Sequence, residues 1–149
     1  MNIRNRLAFA CIAVPAFVEL GLGVVYLAAR APMPYHEQAL GIPWSGLEPG
    51  ARALLLTLLN GYGSTHLAVG IALAVLLAFP LRQGQAWARW TILAIGMPVL
   101  GGTAFLSARL AALTGACVPW QGAVALLVVF VAGVVLADPK TASSPGAGR

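Results

Sequence analysis

The stretch ALLLTLLNGYGSTHLAVGIALAVLLAF, Ala53 to Phe79, contains no Asp, Glu, Lys or Arg. A bilayer is crossed by a helix of about 20 apolar residues, and this run is longer. It shows no alternation of polar and apolar positions, which excludes a barrel strand. A helix is the structure that satisfies every backbone N–H and C=O of such a run within itself. Pro80 marks its expected end. Three further apolar runs flank it, at about residues 7–29, 87–109 and 120–137, the last closed by Asp138 and Pro139. Of the 149 residues, 60% are hydrophobic and only 9% are charged. Soluble domains carry about 25% charged residues, and disordered chains are poor in aliphatics, so both classes are excluded.

The expected fold is therefore all-α, a polytopic membrane protein built as a four-transmembrane-helix bundle over residues 1–140, with an outer loop at 30–52. Residues 141–149 are rich in Ser, Gly, Pro and Ala and read as a disordered cytoplasmic tail. The first run is not a cleaved signal peptide. It is longer than an h-region of about 7–15 residues and contains Pro15 and Glu19. Ala8-Phe9-Ala10-Cys11 lacks the Leu of a lipoprotein cleavage site and follows too short an n-region.

The net charge of +5 does not point to nucleic acid, because the basic residues stand singly at the ends of apolar runs. There they set orientation. Arg4, Arg6, Arg82, Arg89, Lys140 and Arg149 fall on one side of the four-span scheme, and Arg30, Arg52 and Arg109 on the other. The excess places both termini in the cytoplasm, as in a multi-pass protein of the bacterial inner (cytoplasmic) membrane. Cys11 and Cys117 then lie on opposite sides and cannot be bridged.

The loop segment Met33-Pro-Tyr-His-Glu-Gln-Ala-Leu-Gly-Ile-Pro-Trp44, the following Leu47-Glu-Pro-Gly50, Trp87-Ala-Arg-Trp90 and Val118-Pro-Trp120 together resemble a family of uncharacterised bacterial four-helix integral membrane proteins. The resemblance covers Met33 to Ala137. It departs in the second span, where a run of glycines is expected and Gly61-Tyr-Gly-Ser-Thr-His66 stands instead. The layout is also similar to DoxX-like bundles, in architecture alone. The resemblance implies class and topology and brings no activity with it.

Few residues offer chemistry. Glu19 is the single acid within a span, and a carboxylate there must be protonated, paired or wet. Ala8, Ile12, Pro15, Ala16, Gly23 and Tyr26 share its helical face, small enough to meet another helix. His66 is central in the second span as Glu19 is in the first, so antiparallel packing would bring the two to one depth. Tyr26 and Tyr62 would complete a polar site toward the outer loop. For each residue the bland reading is a satisfied packing contact. His36, Glu37 and Glu48 form a second candidate site, a cation site in the outer loop. They are not an H-E-x-x-H motif, since Leu40 stands where the second His belongs. A short helix around His36 to Leu40, ended by Gly41, is expected in that loop. Pro98, among Gly96, Gly101 and Gly102, is a candidate hinge. Neither a metal nor a cofactor is implied, because no His or Cys spacing fits one.

These features rank three functional classes. First stands a non-catalytic structural or partner-binding membrane component, whose partners are the bilayer and either another membrane protein or a second copy of the chain. The alternative is a bundle that binds or transports a small molecule or proton through a midplane Glu19–His66 site. A membrane enzyme ranks last, since no nucleophile, metal set or phosphate loop is recognisable.

Overall fold

The computed structural model of the protein describes residues 3–137. The basic pair Lys140 and Arg149, the stop at Asp138 and Pro139 and the tail expected at 141–149 lie outside the described residues. Within them the chain is helical throughout: α1 (Ile3–Leu27), α2 (Pro34–Leu40), α3 (Pro49–Leu76), α4 (Ala86–Thr114) and α5 (Trp120–Leu136). A 3-10 turn covers Trp44–Gly46. Three stretches are long and apolar enough to cross a membrane, namely α1, α3 with its extension to Leu81, and α4. The fourth apolar helix, α5, is shorter at 17 residues.

The helix ends differ from the sequence expectation for identifiable reasons. α3 begins at Pro49, whose missing N–H is harmless in a first turn. Pro80 does not stop it. The chain widens into a π turn over Leu77–Leu81 that accommodates the proline ring, and it breaks only at Gly84, where φ is +75°. α4 runs past Arg109, which lies on an exposed face, and closes at Gly115 with φ +69°. α2 is the short helix expected around His36 to Leu40, extended by two residues to Pro34 and capped by Gly41 at φ +70°.

The four long helices form a ring in which α1 packs on α3 and α5, and α4 packs on α5 and, more sparsely, on α3. The closest pairing is α1 with α3. Small residues allow it: a β-carbon on Gly23 would stand 2.5 Å from the Leu67 nitrogen, and one on Gly63 would stand 2.8 Å from the Tyr26 carbonyl carbon. Gly133 of α5 similarly admits Ile12 and Cys11, and Gly96 of α4 admits the ring of Phe130. Pro98, two residues on, sits within the continuous helix on an exposed side.

The two halves of the bundle are packed differently. Ile12, Ala16, Leu73, Leu77, Ile92, Phe130 and Val134 interlock as a dense core in the half away from α2. At that end, Arg4 Nε donates to the Leu136 carbonyl and an Arg89 guanidinium nitrogen to the Ala137 carbonyl. Two cations thus satisfy the free carbonyls and the negative dipole end of α5. The half beneath α2 is not filled in this way.

Candidate functional site

Glu19 and His66 meet where the dense half ends. The face of α1 that buries Glu19 consists of Ala8, Ile12, Pro15, Ala16, Gly23 and Tyr26, the same set that the helical wheel groups with it. On α3 the buried line is Gly63, His66, Gly70 and Leu73. The glycines on either side of His66 draw α3 onto α1, so the two side chains are brought within bonding distance by backbone proximity. Glu19 Oε2 and His66 Nδ1 stand 2.5 Å apart and share a hydrogen bond. Exposure is 1% for Glu19 and 0% for His66, so no bulk water screens the pair. The other ring nitrogen, His66 Nε2, is buried and has no hydrogen-bond partner among the described residues.

Aromatic rings surround the pair. Tyr62 meets the His66 ring edge-on with centroids 4.1 Å apart, and Tyr26 lies nearly parallel to it at 6.5 Å. Tyr26 and Tyr62 touch each other at 5.3 Å. Their hydroxyls diverge: Tyr62 bonds Thr103 of α4 at 3.0 Å, while Tyr26 bonds the hydroxyl of Tyr35 on α2. All four residues of the intramembrane site expected from the sequence therefore come together. Tyr35 and Thr103 join them. Neither was singled out by sequence reasoning, and the signal available was weak. Thr103 and Ser107 are one turn apart on the same α4 face in an apolar helix.

Above the pair the helices line a half-open pocket of about 610 Å³. Glu19 lies at its inner end, and Tyr35 and His36 of α2 close its outer end. The wall between is mostly Leu and Val from α1, α3, α4 and α5, with Tyr26, Tyr62, Thr103 and Ser107 as its polar points. Among the described residues, no Lys or Arg lines it. A volume of this size falls in the range of about 300–1,000 Å³ that holds drug-sized ligands.

The outer-loop trio is used differently. His36 Nδ1 accepts the N–H of Met33, so the neutral ring carries its proton on Nε2. Burial pushes His36 below the ordinary histidine range and keeps it neutral. Glu37 accepts the backbone N–H of Trp44 at 3.1 Å, and Glu48 precedes the first turn of α3. Burial, and then the bond to Tyr26, push Tyr35 above the usual tyrosine range. Among the described residues, no group of three or more His, Cys, Asp or Glu is placed to hold a metal ion.

No family model, curated protein or solved structure matches this chain. The functional reading therefore rests on the site itself.

Proposed function

We propose that this protein is a multi-pass membrane bundle that binds a small, mainly apolar molecule between its helices, with Glu19 as the polar floor of the binding site and His66 bonded behind it. The observation that carries the reading is the cavity of about 610 Å³ whose inner end is the buried Glu19. A concave, mainly apolar site with a few convergent polar groups is the usual form of a small-molecule site, and this pocket has that form. The cavity thus favours the small-molecule reading over a purely structural component.

The proposal includes a four-span arrangement in the cell membrane with both termini in the cytoplasm. At 17 residues α5 meets the lower limit for a span, and the basic residues favour this orientation. The cavity then occupies the outer half of the bilayer and α2 lies at the outer surface.

The test uses the purified full chain in detergent. Ala123 lines the cavity from α5, and Ala123→Phe places a ring in that space. Apolar compounds should raise the melting temperature of the wild type in a concentration-dependent way and leave Ala123→Phe unmoved. If compounds of matched size, both neutral and charged, shift neither protein or shift both equally, the reading is wrong.

A further inference from the structure

The charge arithmetic at the cavity floor goes further than binding of an apolar molecule. Among the described residues, Glu19 is the only Asp or Glu that lines the cavity, and no Lys or Arg lines it. Three tyrosines, Tyr26, Tyr35 and Tyr62, line the same space. Their ring faces attract cations and not anions. With one proton held between them, Glu19 and His66 are neutral as a unit. Without it they carry one negative charge in a setting where an isolated charge is expensive.

The unpartnered Nε2 of His66 bears on how a cation would be accommodated. If the proton charges the ring, a buried cationic N–H is left without an acceptor. If the proton is absent and Nδ1–H donates to the Glu19 carboxylate, Nε2 is only a bare lone pair, which costs less. A monocation in the cavity would then supply the missing positive charge from the open side of Glu19. The geometry points to a lipophilic organic monocation as the ligand, bound in exchange for the proton of the Glu19–His66 pair. One cation enters, one proton leaves to water, and the charge of the site is unchanged. This inference rests on the small-molecule reading above.

The groups that bear on Glu19 are few. α3 brings His66 and Tyr62, α1 brings Tyr26, and α2 brings Tyr35 and His36. α5 has no titratable residue, and in the half of α4 that lines the cavity the charged residue is Arg109, on an exposed face. Protonation of His36 would also repel a cation, so it must be separated from the pair.

Tetraphenylphosphonium serves as the probe, with triphenylmethanol as a neutral comparison and tetraphenylborate as an anion of similar shape. Titration calorimetry on the full chain, between about pH 6 and pH 8 and in buffers of different ionisation enthalpy, counts the protons released. The cation should bind more tightly as pH rises, with about tenfold per pH unit as the limit for one linked proton. It should release one proton, and tetraphenylborate should not bind. Triphenylmethanol should show no pH dependence. Glu19→Gln should abolish proton release and weaken the cation by about tenfold or more relative to triphenylmethanol. His36→Gln should retain the pH dependence. A flat cation profile, or equal affinity for cation and alcohol, overturns the exchange and leaves the small-molecule reading standing. Failure of all three probes to bind overturns both. If Glu19→Gln does not insert, the proton count on the wild type decides by itself.

Discussion

A carboxylate and an imidazole that meet out of reach of water stabilise each other chiefly by avoiding something worse. Removing one partner leaves the other polar group buried and unpaired, a loss of about 3–5 kcal/mol for buried pairs, whereas replacing both by apolar groups is often neutral or better. Glu19→Leu should therefore sharply lower the melting temperature, and Glu19→Leu with His66→Leu should recover most of the loss. A double variant no more stable than the single one would show that the two residues do not act as a pair. The glycines beside His66 give a second test at this scale. Gly63→Ala drives a methyl into the backbone of Tyr26 and Leu27, and overpacking of this kind costs about 1–3 kcal/mol. Gly61→Ala, two residues away, meets nothing within 4 Å and should be neutral or slightly stabilising. Equal effects on thermal unfolding would mean that α1 and α3 are not in contact through Gly63.

At the scale of elements, α2 is the part whose hold depends on solution conditions. It is too short to persist alone and is held by side chains: Tyr35 to Tyr26, Gln38 Oε1 accepting the Cys117 N–H, and Glu37 accepting the Trp44 N–H. The loop behind it is held by Arg52, which donates to the carbonyls of Leu47 and Ser45. His36 is the pH-sensitive member. Its folded pKa lies below the ordinary value of 6.5, so as pH falls through 6.5 the undocked segment takes up a proton before the docked one does. Undocking thereby gains ground as pH falls, until the folded group also protonates. Hydrogen-exchange protection of α2, corrected for intrinsic rates, should decline between about pH 7 and pH 5. His36→Gln should remove that decline. Protection that rises on acidification would reverse the sign and disprove the assignment to His36.

The whole molecule divides into a dense half and a hollow half, with the Glu19–His66 pair at the boundary. In the proposed orientation the dense half faces the cytoplasm, where Arg4 and Arg89 close the end of α5. The hollow half and α2 face outward. Reporter fusions after Arg82 and after Lys140 should then read cytoplasmic, and a fusion between Glu37 and Glu48 should read external. Opposite signals after Arg82 and Lys140 would mean that α5 does not cross. Its 17 residues extend only about 26 Å, at a rise of 1.5 Å per residue, against a hydrocarbon core of about 30 Å.

By itself the sequence determined the helical class and the approximate position of the long helices, because uninterrupted apolar runs leave the backbone one way to satisfy its hydrogen bonds. It also determined the buried face of α1. Helical periodicity and small residues such as Gly23 are local signals that any neighbour must respect. The matched central positions of Glu19 and His66 were legible as arithmetic, but their contact was not, since depth says nothing about which way a side chain turns. That was decided by the close approach of α1 and α3. The continuation of α3 through Pro80 also escaped a local reading. A proline marks a lost hydrogen bond, and only the packed chain decides whether the helix ends there or widens into a π turn. The polar floor of the pocket was legible in the sequence, but its volume and apolar wall were not. Its leucines look the same in the string as the leucines of the core, and whether such side chains interlock or stand apart depends on how sparsely α4 lies against α3, a relation between elements that no single run encodes.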